Sequence, residues 1–112
     1  MLAVALDAVA DPSSVTFTVD LTNAGAASVD LTFPTGQTVE VAVRWGGDLM
    51  WRYGDERVFT QAVRTETVAP GETRHFEAVW ADPAPGEYEA TATLTARDTD
   101  AAARCSVAVG SE

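Results

Sequence analysis

The chain has no lysine, and its 112 residues include only one histidine and one cysteine. Each scarcity removes a class of function. A single cysteine, Cys105, excludes an intramolecular disulfide and points to a reducing compartment or a fold without cross-links. A single histidine, His75, excludes multi-histidine metal sites. No apolar run approaches the roughly 20 residues of a membrane span. The opening MLAVALDAV lacks a basic region and is interrupted by Asp7, so it does not read as a signal peptide. A cytoplasmic protein with no membrane partner is expected.

The charge balance excludes more. Seven arginines stand against 17 acids, for a net charge of −10. No basic patch is available to neutralise phosphate, so nucleic acid is not an expected partner. Many acids, arginine as the only base, and abundant Ala, Val and Thr resemble the proteins of salt-loving archaea. Such a surface repels itself in dilute salt and is screened within about 3 Å at molar salt. Asp7, Asp20, Asp30 and Glu40 fall at outward strand positions and contribute to that acidic face. The expected result is a melting temperature that falls as salt is lowered from molar to millimolar. An unchanged one argues against the halophilic reading.

What is present is alternation. Leu2, Val4 and Leu6 alternate with Ala3, Ala5 and Asp7, and Val15, Phe17, Val19 and Leu21 alternate with Thr16, Thr18, Asp20 and Thr22. The same period of two recurs in Val29, Leu31 and Phe33, and then in Val39, Val41, Val43 and Trp45. It returns in Phe76, Ala78 and Trp80, in Tyr88, Ala90, Ala92 and Leu94, and in Cys105, Val107 and Val109. Period two marks strands with one buried face. Gly46-Gly47 suits a sharp turn, and Pro70-Gly71 fills the central positions of a type II turn. The Pro-Gly-Glu-Tyr sequence ending at Tyr88 resembles a tyrosine corner, in which the phenol bonds back to upstream backbone. The expectation is one domain over residues 1–112, an all-β, immunoglobulin-like Greek-key sandwich of seven to eight antiparallel strands with no helix.

Residues 44–64, RWGGDLMWRYGDERVFTQAVR, differ from their surroundings. They hold Trp45, Trp51, Tyr53 and Phe59, with Arg44, Arg52, Arg57 and Arg64 against Asp48, Asp55 and Glu56. Interface cores are enriched in Trp, Tyr and Arg, so this stretch is a candidate contact surface. Aromatics also fill cores, and the competing reading makes Trp45, Trp51, Phe59 and Trp80 one buried cluster, with Gln61 satisfying buried backbone. Catalysis finds little support. His75 falls at an outward strand position, Cys105 at an inward one, and no nucleophile or phosphate-loop motif occurs. Asp98 and Asp100 offer oxygens for a cation, but a lone DxD is more often only a turn. No cofactor is expected.

The segments LTFPTGQ (residues 31–37), WRY (51–53), FTQ (59–61), the Pro70-Gly71 turn and Trp80 together resemble the BsuPI family of intracellular proteinase inhibitors. The resemblance implies an immunoglobulin-like domain whose partner is a cytoplasmic subtilisin-like protease. It also departs from the family, with Tyr53 where a second Trp is frequent. On this reading loops at one end of the sandwich dock across the protease cleft, and residues 46–61 are the candidate. Trp51 and Tyr53 are then anchors, Arg52 and Arg57 polar partners, Phe59 a support and Gln61 a further contact. The inhibitor is expected to be a monomer. Two alternatives remain open: an accessory protein-interaction module, and a carbohydrate-binding module with coplanar exposed aromatics.

Overall fold

The computed structural model describes residues 2–56, 58–97, 99 and 101–110. They form nine strands in antiparallel pairs: β1 (Leu2–Ala10), β2 (Ser14–Asn23), β3 (Val29–Phe33), β4 (Val39–Trp45), β5 (Asp48–Arg52), β6 (Arg64–Val68), β7 (Thr73–Ala81), β8 (Gly86–Leu94) and β9 (Ala102–Val109). One sheet has the order β1-β2-β7 and the other β5-β4-β8-β9, while β3 and β6 pair as a separate ribbon. The alternation seen in the sequence becomes the core. Val15, Phe17, Val19 and Leu21 of β2 are buried against Val39, Val41 and Val43 of β4 and Tyr88, Ala90, Ala92 and Leu94 of β8.

The strand count exceeds the expected seven to eight because β6 carries no hydrophobic alternation. Its inward positions are Arg64, Glu66 and Val68, and only Val68 is fully buried. Arg64 and Glu66 lie at the rim, where long side chains keep their heads in water. A single 3₁₀ turn, Tyr53–Glu56, follows β5.

The turns behave as their residues require. Gly46 and Gly47 take φ of 58° and 90°, joining Trp45 to Asp48 in a two-residue hairpin. Gly71, at φ 79°, follows Pro70 in a turn closed by Glu72 N–H donating to Ala69 O at 3.0 Å. The tyrosine corner is present, with the Tyr88 hydroxyl donating to Ala84 O at 2.6 Å.

Each sheet has two edges. The far edges β1 and β9 lie side by side. At the other seam β5 and β7 are both edge strands. The chain leaves β5 there, passes through the 3₁₀ turn against β7 and returns as β6. The 3₁₀ turn, Tyr53–Glu56, therefore lies at the open side of the sandwich.

Candidate functional site

The aromatic-rich stretch is built around Trp51. Its position on an edge strand, facing inward, leaves it 8% exposed. The indole stacks on Phe17 (centroids 5.9 Å apart, planes at 15°) and on Trp80 (6.1 Å, 20°), joining the two sheets. Trp80 meets Tyr88 edge-on at 5.0 Å. A branch leaves Trp51 toward the surface: Tyr53 at 6.4 Å, then Phe59 at 6.1 Å from Tyr53. Of the buried cluster expected from sequence, Trp51 and Trp80 are thus present, half-buried Phe59 is joined to them through Tyr53, and Trp45 does not belong to it.

Trp45 is 58% exposed. Strict alternation after Val43 places it inward. Instead the β4–β5 register shifts between Val43 and Arg44, so Met50 is an extra residue on β5. Such a bulge bends the strand and increases its twist. The pairing of β4 with β8 ends at Arg44↔Glu89, so Trp45 lies beyond the last layer that would bury it. Gln61 is exposed as well, which removes it as a buried backbone partner.

Three of the segments quoted for the family resemblance, TGQ, WRY and FTQ, come together at the open end of the β4–β5 hairpin, whereas the Pro70-Gly71 turn and Trp80 lie at opposite ends of β7. Glu40 Oε1 accepts from Gly54 N–H at 2.8 Å and from Val41 N–H at 3.1 Å, fixing the 3₁₀ turn. This outward acid holds a loop as well as adding charge. Gly36 N–H donates to Thr60 O at 2.9 Å, and a Cβ at Gly36 would lie 2.8 Å from Thr60 Oγ1. Glycine is needed there because FTQ packs directly on TGQ. Arg64 then clamps the assembly. It donates to Thr35 O at 3.3 Å and Thr38 Oγ1 at 2.5 Å, and its guanidinium lies 4.4 Å from the Phe33 ring centroid. Arg64 and Arg74 both pair with Glu66, and Arg74 also meets Glu72 at 3.0 Å, tying the β3–β6 ribbon to β7.

Arg52 is less constrained. Its side chain is 42% exposed and reaches Asp55 only at 4.0 Å. Tyr53 and Phe59 are half-buried and, with Gly36, Thr38, Val39, His75, Phe76 and Glu77, line a shallow depression of about 300 Å³ over the seam. Arg57 lies outside the described residues, as do Asp98 and Asp100. Residues 46–61 do not form one loop. The Gly46-Gly47 turn and Tyr53 are separated by the five residues of β5, about 15 Å of strand.

Elsewhere, His75 Nδ1 pairs with Asp20 across the outward face of β2 and β7. Cys105 is half-buried on β9, and burial, with the charge of Asp7, pushes its thiol above the ordinary value. Asp11 is held below the usual carboxylate range by Ser13 N–H, then by the Ser13 hydroxyl and Ser14 N–H, while Ala69 N–H and Arg74 do the same for Glu72. Both folded pKa values lie below the unfolded ones. Their contribution to stability is therefore present above the unfolded carboxylate pKa and is lost as pH falls through the folded one. Among the described residues no group of three or more His, Cys, Asp or Glu side chains gathers to hold a metal. No helix among them is long and apolar enough to cross a membrane.

Comparison with solved structures agrees on the fold. The CARDB domain of a Pyrococcus furiosus protein, solved in complex with di-metal ions, is similar at TM-score 0.57 and 19% identity, over 100% of this chain and 94% of that one. The sporulation control protein of Bacillus subtilis is similar at TM-score 0.60 and 13% identity, over 99% of this chain and 50% of that one. Both support an immunoglobulin-like β-sandwich. No match was found among curated proteins. The family model described as "BsuPI: Intracellular proteinase inhibitor" matches residues 2–99, which span both sheets up to β8, the β3–β6 ribbon and the whole aromatic-rich stretch. The chain belongs to the BsuPI family of intracellular proteinase inhibitors.

Proposed function

We propose that this chain inhibits a subtilisin-like serine protease of the cytoplasm. It acts as a monomeric, folded domain that lays part of residues 46–61 across the protease cleft. The family supplies the inhibitor role. The observation that carries the docking mechanism is the fixed geometry of a surface otherwise made of loops. Gly54 N–H is held by Glu40 and Gly36 N–H by Thr60 O, so the pieces that carry Arg52 and Tyr53, and Phe59 and Gln61, are each tied to the sandwich before they meet a partner. Preorganisation of this kind lowers the entropic cost of binding and needs no reactive group on the inhibitor.

Within this reading Trp51 supports the surface from beneath, Arg52 and Gln61 make polar contacts at its rim, Tyr53 and Phe59 supply apolar area, and Arg57, outside the described residues, is a further polar partner. A carbohydrate platform is less well supported, because among the described residues Trp45 is the one exposed aromatic.

The test is titration of a purified intracellular subtilisin-like protease with the domain. Stoichiometric loss of activity with the domain left intact is the expected result, and full activity rejects that target. Arg52→Ala with Arg57→Ala should weaken inhibition about tenfold, since a contact of about 1.4 kcal/mol corresponds to that factor. The melting temperature should not change. A lower melting temperature with undiminished inhibition would place both arginines in the scaffold instead.

A further inference from the structure

We propose that the tip of the β4–β5 hairpin, with Trp45 as its anchor, is the element that enters the protease cleft. The inference rests on the inhibitor reading above and assigns its principal contact to this tip, with the separate Tyr53–Phe59 surface as a flanking one. Three observations converge on this tip.

The first is exposure. Trp45 is 58% exposed, with Leu49 at 40% and Met50 at 44% beside it on the same hairpin. Removing a Trp this open from the fold forfeits little packing, yet binding to a partner would bury a large ring.

The second is shape. β4 leaves β8 after Arg44↔Glu89, whereas β8 continues to Gly86 paired with β9. The tip therefore parts from β8, which runs on beside it. The bulge at Met50 adds twist at the point of departure. Between the raised tip and β8–β9 lies a groove of about 620 Å³, lined by Arg44, Gly46 and Gly47 on one side and by Glu87, Glu89 and Ser106 on the other. A tip standing clear of its own sheet fits a concave partner. A flat sheet face does not.

The third is rigidity and charge. A two-residue turn with positive φ at both glycines is a tight connection matched to strand twist, so little freedom is lost on docking. The hairpin carries Arg44 and Arg52 against Glu40 and Asp48, so it is neutral within a chain whose net charge is −10. Glu87 and Glu89 line the groove beside Arg44, which suits an enzyme rim that presents backbone N–H groups or a basic side chain.

The occupant is thus the substrate cleft of the protease, receiving an aromatic side chain on a turn. Two exposed apolar residues away from the tip, Val9 and Val79, flank Thr16 on the outward face of β1, β2 and β7 and supply a control.

The deciding experiment titrates one intracellular subtilisin-like protease with the wild-type domain, Trp45→Ala, Met50→Ser and Val79→Ala, with melting temperatures measured alongside. Trp45→Ala should raise the inhibition constant about 30-fold or more, as loss of a central aromatic anchor does. Met50→Ser should raise it several-fold, and Val79→Ala should leave it unchanged. All three should melt within about 3 °C of wild type. Inhibition by Trp45→Ala equal to that of wild type overturns the assignment while leaving the inhibitor reading intact. Failure of the wild-type domain to inhibit rejects that protease as the target, and the tip assignment for it falls as well.

Discussion

Trp51→Ala should unfold this protein at a much lower temperature than wild type, with a loss of about 4 kcal/mol. For a chain of this length that corresponds to a fall of about 20 °C in melting temperature. The indole is 8% exposed and touches both sheets, stacking on Phe17 of β2 and Trp80 of β7. Alanine would leave a cavity between two edge strands. It would also remove the edge contact by which Trp51 supports Tyr53 and, beyond it, Phe59. Trp51→Phe keeps a stacked ring and should cost about 1–2 kcal/mol, the range of volume changes that a core partly absorbs. Thermal melts followed by circular dichroism check both values. If Trp51→Ala melts within a few degrees of wild type and loses only inhibition, the residue is a contact anchor and the structural assignment made here fails.

That prediction separates two readings the sequence left open, and the reason is geometric. A sequence shows that aromatics recur with period two, but it does not show where a sheet ends. Trp45 and Trp51 both continue an alternating pattern, yet one lies beyond the last paired layer and the other lies beneath a facing sheet. The bulge at Met50 is invisible to periodicity because one extra residue looks like a small irregularity in a short strand. Strand β6 is silent in the sequence for a related reason. Arg64 and Glu66 occupy its inward positions and use their length to reach the rim, so the hydrophobic signal is missing. Glu40 likewise reads as one more outward acid until Gly54 is brought back to it by the β4–β5 hairpin.

Other features were legible because they depend on local chemistry alone. The Pro70-Gly71 turn needs positive φ at Gly71, and the Tyr88 corner needs only a carbonyl four residues upstream. The inward faces of β2, β4 and β8 follow from alternation over a core with no competing helix. The candidate surface was legible in composition but not in shape. Residues 46–61 are unusual as a stretch, and only the strand between their two ends shows that they present two separate surfaces.

Asn23→Ala should cost about 3 kcal/mol, and Asn23→Asp more. Asn23 is fully buried at the end of β2, the one polar residue among the buried described residues. Its amide nitrogen donates to Ala27 O at 2.9 Å and to Val68 O at 3.0 Å, and its Oδ1 accepts from Gly25 N–H at 3.0 Å. One side chain thus closes the turn after β2 and holds the last residue of β6. Alanine strands two carbonyls and an N–H, each a group whose lost partner costs about 1–3 kcal/mol when water is kept out. Aspartate keeps the shape but turns an acceptor toward two carbonyl oxygens and buries charge, so the loss should be greater. This order, Asp worse than Ala, tests the amide orientation as well as the role. The damage should also be local at first. β3 and β6 pair with each other and with neither main sheet, so their amides should exchange with solvent sooner in Asn23→Ala than those of β2 and β8. Phe33 and Arg64 belong to that ribbon, and Arg64 holds the TGQ segment on which Thr60 rests. A loosened ribbon therefore reaches the Tyr53–Phe59 surface through contacts rather than through distance. Uniform acceleration of exchange across all strands would show instead that the ribbon and the sandwich unfold as one unit.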